Sequence, residues 1–442
     1  MRMPMVTIHV RRVSMQHMEI AGQQQMERSI GTGGSVLLGM GSMLGTGLFV
    51  GIALATAMSG TWVLVAIAVA MLTATCNGLS SAQLAAAYPV SGGTYEYATR
   101  LLSPATGFAA GWLFLCAKSA SAAAAALGAG SYLLAMVGVD PSAWGTVVGL
   151  FLLFMVTCTV LLGIRRSVLA TMIILVFVGI GLLVYLVACM KSEPADETML
   201  VVPYSAGIPG AAAIMFVAFT GYGRIATLGE EVCEPARTIP RAIIVTIALS
   251  GFLYLLIGWT LSCTAMPDEL VLKDSNLNPL QSIAARSWGR AAGTVVAFAA
   301  IAAMIGVLLN LLLGLSRVVL AMARRGDVPR SHGVIWARNS TPPWAVIDAC
   351  IVIAVLILVG DFTFAWSLSA FTVLIYYAIT NLAALKLPAE DRSYPRWVAA
   401  LGLLSCCVLA FCVPPSTWLI GLAVLAAGLV FRGMKRSLSP AP

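Results

Sequence analysis

The residues best placed to do chemistry are glycines and their neighbours, and the chemistry is that of an exposed backbone. Gly39-Met40-Gly41-Ser42-Met43-Leu44-Gly45-Thr46-Gly47 holds four glycines in nine residues, within an apolar segment running from about Ser35 to Met58. Each glycine in a helix interior costs about 0.8–1 kcal/mol relative to alanine, so Gly45-Thr46-Gly47 is where a spanning helix is expected to come apart. Backbone groups freed inside a membrane need partners, and a bound polar solute can supply them. Close packing through small pairs, Gly41/Gly45 and Gly47/Gly51, is the competing reading of the same residues.

A second interruption is written in Phe216-Val217-Ala218-Phe219-Thr220-Gly221-Tyr222-Gly223-Arg224, where two glycines flank an aromatic and a charge follows at once. Two glycine-interrupted helices at corresponding places in two halves of opposite direction point to a solute site at mid-membrane. N–H groups of the unwound turns suit a carboxylate, and freed carbonyls suit an ammonium.

Lys118 is the third chemical candidate. It lies about thirteen residues into its span, roughly 20 Å at 1.5 Å per residue, which is near the midplane. An ammonium there is disfavoured by about 2.5–3.5 kcal/mol, so it is expected to face the bundle interior with a partner. It either takes up and releases a proton during a cycle or is a structural lysine bonded to carbonyls.

The elements that must position these residues are membrane helices. The chain of 442 residues is 60% hydrophobic and only 10% charged, with a mean hydropathy of +0.94, against about 25% charged residues in ordinary soluble domains. Its apolar runs are long and do not alternate, which selects helices over barrel strands. Breaks at charged and Pro/Gly-rich stretches predict about twelve spans, near 33–58, 61–87, 105–137, 143–163, 167–190, 209–230, 241–263, 291–323, 343–360, 363–386, 396–413 and 415–432. Residues 1–31 read as a polar cytoplasmic tail, with Met26 an alternative start, and 433–442 as a second short tail.

Of the 26 Lys and Arg, three (Lys118, Arg224 and Arg317) lie within spans. With the N-terminus inside, nineteen fall on inner segments and four on outer loops, namely Lys191, Lys273, Arg286 and Arg290. This bias predicts cytoplasmic termini and explains the net charge of +8 by orientation in a cytoplasmic membrane, with no nucleic-acid partner. His9, His17 and His332 lie outside the spans, so no HExxH-type metal site forms within them. The ten cysteines hold no CxxC pair and read mostly as small buried hydrophobes. No cofactor is implied, and no nucleophile–base constellation suggests an enzyme.

Several motifs carry a family resemblance: Gly45-Thr46-Gly47-Leu48-Phe49-Val50; Tyr88-Pro89-Val90-Ser91-Gly92-Gly93-Thr94-Tyr95; Gly111-Trp112; Glu230-Glu231-Val232 with Pro235 and Arg237-Thr238-Ile239-Pro240-Arg241-Ala242; and Leu311-Leu312-Leu313-Gly314-Leu315-Ser316-Arg317. In this order, over about residues 29–390, the chain resembles the permeases of the amino acid–polyamine–organocation superfamily. The resemblance implies an all-helical five-plus-five inverted repeat (32–390), with broken helices one and six, two further helices in 391–432, and alternating access. It implies that Gly45, Thr46 and Gly47 take a substrate's carboxylate and Phe219, Thr220 and Gly221 its amino group. Tyr222 is then either a gate over the site or ordinary packing.

The remaining charges and the departures from the family bear on gating and coupling. Glu230, Glu231 and Glu234 against Arg237 and Arg241 read as an inner gate or as a solvated loop, with Glu96 and Arg100 part of the same network. Arg224 either pairs with Glu230 or Glu231 or reads an acidic substrate. Sodium-coupled relatives use hydroxyls on the eighth span, whereas from Ala299 to Leu315 only Asn310 carries a side-chain oxygen. Some proton-linked members place a lysine on the fifth span, and residues 167–190 contain none. Proton coupling through Lys118 and ion-free exchange both stay open. The expected function is transport of an amino acid or polyamine-like amine; the alternative is a membrane-embedded amino acid sensor or scaffold. Substrate and oligomeric state are not legible.

Overall fold

A computed structural model describes residues 30–89, 92–162, 167–192, 207–226, 232–266, 269–270, 277–335 and 342–438. Among these residues the protein is all-helical, with one isolated parallel β-bridge between Ile30 and Val232. Residues 1–29 of the expected tail 1–31 and the gate candidates Glu230 and Glu231 lie outside the described residues.

The first half of the chain runs α1 (Thr32–Met43), a π-helical turn at Gly47–Gly51, α2 (Ile52–Ser59), α3 (Val63–Ala87), α4 (Thr94–Leu101), α5 (Pro104–Val137), α6 (Pro141–Leu161) and α7 (Ser167–Met190). The second runs α8 (Gly207–Phe219), a 3-10 turn at Thr220–Tyr222, α9 (Gly223–Ala226), α10 (Pro235–Thr264), α11 (Pro279–Trp288), α12 (Arg290–Arg324), α13 (Pro343–Val359) and α14 (Phe362–Leu385). It finishes with α15 (Arg396–Ala410) and α16 (Pro415–Leu438).

Local sequence sets the ends of these helices. Ser103 caps α5 by accepting from Thr106 N–H at 3.1 Å with Pro104 in the first turn, and left-handed Gly138 closes it. Asp140 and Asp361 cap α6 and α14 in the same way. Such side chains answer N–H groups that the first helical turn leaves without acceptors. Between α2 and α3 the chain reverses at Gly60, whose φ of +54° suits glycine.

Nine helical stretches are long and apolar enough to cross a bilayer among the described residues, fewer than the twelve expected. One of the nine, Gly47–Ala87, runs through the reversal at Gly60, and α13 and α15, both apolar, are shorter than the rest. Burial sorts centre from rim. The apolar windows of α5 and α14 are 78% buried, whereas those of α6 and α16 are only 28% and 22% buried. α5 packs between α12 and α14. Its five consecutive alanines, Ala122–Ala126, have no solvent exposure, so small side chains let neighbouring backbones approach without the hydrophobic driving force that water would supply. Outward faces such as Phe151 and Phe154 on α6 or Val352 and Val355 on α13 are exposed and apolar, as lipid contact requires. Exposed Trp62, Trp144, Trp288, Trp344 and Trp397 sit at or next to helix ends, where amphipathic rings favour the membrane–water interface.

All ten cysteines are unpaired. The expectation that most are buried is corrected: Cys76, Cys189 and Cys406 are buried, while Cys233, Cys263 and Cys407 are exposed and the rest intermediate. On an outward helix face a thiol is apolar enough to meet lipid, so burial is not required of it.

Candidate functional site

α1 stops where the glycines predict. Leu44 N–H still reaches Met40 O at 2.8 Å, but Gly45 N–H turns back to Met43 O at 2.9 Å. Leu44, at φ −78° and ψ 76°, is the centre of an inverse γ-turn. Gly45 N–H is thereby diverted from Gly41 O, the acceptor an unbroken helix would give it. Helix resumes when Leu48 and Phe49 N–H both reach Gly45 O, at 3.0 and 3.1 Å.

The second interruption is tighter than the sequence suggests. α8 does not open out at Gly221–Gly223. It contracts into a 3-10 turn and continues as α9, while the Thr220 hydroxyl donates back to Val217 O at 2.8 Å. That back-bond and lateral packing hold the turn closed. The two interruptions touch: a Cβ on Gly221 would lie 2.7 Å from the carbonyl carbon and oxygen of Ser42. Tyr254 of α10 joins them, its hydroxyl 2.7 Å from Met43 O and 3.0 Å from Ala218 O. Its single proton is shared between carbonyls of the two breaks, and its ring packs edge-on against Phe219 at 4.9 Å.

The glycines also pack, so both readings of the cluster hold at once. A Cβ on Gly45 would meet Val307 of α12 at 2.4 Å, and one on Gly47 would meet Ala218 Cβ at 2.3 Å and its Cα at 2.8 Å. Gly47 therefore keeps α8 close; its missing side chain is not merely space left for a solute.

Beside the junction lies a cavity of about 1030 Å³, its open mouth included. Thr46, Gly47, Thr220 and Gly221 line it, as do Lys118, Arg224 and Asn310. Gly45 sits behind this surface against α12. Phe219 and Tyr222 are fully buried behind it as well. The gate reading of Tyr222 gives way to packing, because its ring lies against Tyr377, 5.4 Å between centroids, and Tyr377 is the residue that meets the cavity. At its deep end are buried Ser121, Val217 and Trp366, the last fixed by its indole N–H to Ile214 O at 3.1 Å. Its other end reaches partly exposed Gly92 and Gly314 and exposed Arg317.

Lys118 faces inward as expected, but its partner is not a carboxylate. Nζ donates to Thr220 Oγ1 at 3.0 Å and lies 5.9 Å from the centre of the Phe114 ring. Thr220 passes the bond on to Val217 O, so ammonium, hydroxyl and carbonyl form a chain from α5 into the turn after α8. Asn310, on α12, makes no hydrogen bond among the described residues and is 8% exposed.

Of the expected ionic network, Glu96, Arg100, Glu234, Arg237 and Arg241 are among the described residues. Glu234 and Arg237 pair at 3.6 Å, but both side chains are more than 70% exposed, so they form a solvated turn and not a gate. Glu96 also accepts from Arg325 with both carboxylate oxygens along one guanidinium edge, Nε to Oε1 at 2.7 Å and Nη2 to Oε2, and Arg100 stands 3.7 Å away. The hydrogen bonds to Glu96 hold the Arg325 guanidinium above its ordinary pKa. Next to it, Tyr95 donates to Asp327 Oδ2 at 2.7 Å and Arg432 approaches Oδ1 at 3.4 Å. Burial first, then the bond to Asp327, pushes the Tyr95 phenol up, so it stays a donor. These contacts tie α4 and α16 to the segment after α12. Arg325, Asp327 and Tyr254 were not singled out from sequence. A charged run directly after a long apolar span signals the first two, but a lone tyrosine within a span signals nothing.

Comparison with known proteins adds a frame to this geometry. The chain is 38% identical over 418 residues to an uncharacterized transporter of Mycobacterium tuberculosis, covering 94% of this chain and 93% of that protein. It is 27% identical to the branched-chain amino acid permease BcaP of Bacillus subtilis, over 73% of this chain and 72% of that one. It is 26% identical to the low-affinity putrescine importer PlaP of Escherichia coli, over 90% and 91%. Residues 34–437 match the amino acid permease family, so with its broken first helix, its interrupted sixth stretch and the cavity between them, this chain belongs to the amino acid permeases of the amino acid–polyamine–organocation superfamily.

Proposed function

We propose that this protein moves an amino acid, or a closely related small amine, across the cytoplasmic membrane by alternating access, with both termini cytoplasmic. The observation that carries the proposal is the meeting of the two helix interruptions at a cavity deep within the bundle, with Gly221 against Ser42 and Tyr254 joining both backbones. Discontinuous membrane helices offer N–H groups to a carboxylate and carbonyls to an ammonium; here the first helix is open at Leu44–Gly47, while the second stretch stays tightened as a 3-10 turn beside it. We assign Thr46 and Gly47 to the carboxylate side and Thr220 and Gly221 to the amino side. Gly45, Phe219 and Tyr222 support them from behind. The nine long spans, the reversal at Gly60 and the two shorter apolar helices support twelve crossings, arranged as five plus five plus two.

The cavity is shut at the Trp366 end and graded in exposure toward Arg317. With the termini inside, this is the inward-facing stage of the cycle. Between α1 and α12, Gly45 meets Val307 and the carbonyl of Ala303. A sodium site there would have no hydroxyl from the middle of α12, which favours proton-linked or ion-free transport.

Uptake and counterflow of labelled amino acids and diamines in proteoliposomes test the reading. Accumulation or counterflow is expected. Binding without either would establish a sensor.

A further inference from the structure

We infer that the last helix, α16, sets the mouth of the cavity, and that Arg432 is the positioning residue through which it acts. The inference rests on the transport reading above, since a brace at the mouth matters to a protein that must open and close it. α16 lies outside the five-plus-five core proposed there, and its apolar window is only 22% buried. Burial therefore does little to hold it, yet specific contacts fasten it to the bundle at three places. At Gly428 a Cβ would lie 2.5 Å from the indole nitrogen of Trp112 on α5, and that indole donates to Val424 O at 2.9 Å. One turn on, the buried guanidinium of Arg432 lies 5.3 Å from the centre of the Phe108 ring and reaches Asp327 Oδ1 with Nε at 3.4 Å. Lys435 then donates to Gly326 O at 2.6 Å.

Asp327 carries the contact onward to the cavity. Its other oxygen accepts from Tyr95 of α4 at 2.7 Å, and the next residue of α4, Glu96, accepts from Arg325. Arg325, Gly326 and Asp327 are thus gripped by α4 on one side and by α16 on the other. Gly92, which lines the mouth, sits directly behind Glu96: a Cβ on it would lie 2.8 Å from Glu96 Cγ. Gly92 and Gly93, at φ +113° and +55°, admit the turn that folds α4 back at this point. Tyr95 and Phe108 also pack with Val318, another cavity residue. The contacts run in series, from Arg432 to Asp327, from Asp327 to Tyr95, and from α4 to the wall of the mouth. Removing one partner of a nearly buried ion pair leaves the other charge unmet and is strongly destabilising. The arrangement with the mouth open is the one in which Arg432 and Asp327 meet, so their pairing favours it by keeping α4 docked against the end of α12.

The test compares Arg432→Gln, Arg432→Lys, Asp327→Asn and the double variant Arg432→Gln with Asp327→Asn. One readout is the rate at which a charged thiol reagent modifies a Gly314→Cys reporter in the mouth, where a Cβ meets nothing within 4 Å; peptide mass separates it from the native thiols. The other is the ratio of half-saturating concentrations at the two faces, measured in right-side-out and inside-out vesicles with labelled leucine, glutamate or putrescine, whichever the wild type moves. Arg432→Gln should slow labelling and shift that ratio about tenfold toward tighter binding at the face opposite the mouth, the scale of one lost charged hydrogen bond. Arg432→Lys should recover part of the shift. In an Asp327→Asn background, Arg432→Gln should add little, because both act through one contact. Rates are normalised to folded protein, and if Arg432→Gln does not fold, Tyr95→Phe, which removes the α4 half of the same bridge, is read in its place with the same expectation. Wild-type labelling and an unshifted ratio in Arg432→Gln, whatever its thermal stability, would reduce α16 to packing and overturn the inference, as would full additivity in the double variant. Failure of the wild type to move any of the three compounds would overturn the transport reading, while the labelling rate, which needs no substrate, would still decide the role of Arg432.

Discussion

Replacing Tyr254 by phenylalanine removes one oxygen and nothing else from the junction of the two breaks. In the wild type that hydroxyl lies 2.7 Å from Met43 O and 3.0 Å from Ala218 O. Met43 O retains a second donor, Gly45 N–H at 2.9 Å, so the loss falls mainly on Ala218 O. A net hydrogen bond is worth about 1 kcal/mol, and a buried polar group left unmet costs about 1–3 kcal/mol. The substitution should therefore destabilise the junction by about 1–3 kcal/mol, or 5- to 150-fold in the population of the intact arrangement. The assay is thermal unfolding of detergent-purified protein with and without saturating substrate, paired with KM for uptake. Tyr254→Phe should lower the unfolding midpoint and raise KM, and substrate should recover part of the lost stability if it bridges the same two backbones, as proposed above. Unchanged midpoint and unchanged KM would refute the claim that Tyr254 holds the breaks together.

Gly47→Leu should abolish uptake while the protein still reaches the membrane, because its first side-chain atom already collides with Ala218; Gly47→Ala should cost about 1–3 kcal/mol as overpacking, read by thermal stability. Replacing external sodium by potassium or choline should leave uptake unchanged, and a several-fold fall would reveal a cation site between α1 and α12. Glu96→Gln should release Arg325 and shift the population away from the present arrangement, which labelling of a Gly314→Cys reporter in the cavity reads as slower modification; the exchange Glu96→Arg with Arg325→Glu should restore it in part. Each variant is to be normalised to folded protein.

The glycine positions made the first break legible because a glycine-rich stretch has no other use in a long apolar helix except close packing, and here it serves both. The second break was legible in place but not in form. Whether Gly221 opens a helix or tightens it depends on the Thr220 back-bond and on Ser42 lying across it, and neither is local to the sequence. Lys118 was predictably inward, since lipid excludes it, but its hydroxyl partner a hundred residues away was not. The ionic pairing was legible only in part for a related reason. Glu234 and Arg237 are close in sequence and therefore conspicuous, whereas Glu96 and Arg325 are paired only by the packing of α4 against the end of α12. Tyr254 is one tyrosine among eleven, and only the fold shows that it faces two carbonyls.

The bridge between Ile30 and Val232 has a mechanical meaning. Cys233 N–H donates to Ile30 O at 2.9 Å at the outset of α1, and at the far end of the same half-helix Ser42 is pinned under Gly221. α1 is thus held at two points roughly its own length apart, about 18 Å for its twelve residues, by the turn that precedes α9 and by the residues just before α10. A helix held at both ends cannot swing away from what holds it; it tilts with those segments about the junction at Tyr254. Spin labels on Val36 and Ala226 should therefore keep a constant separation as the cavity closes, while the distance from Val36 to the end of α12 changes.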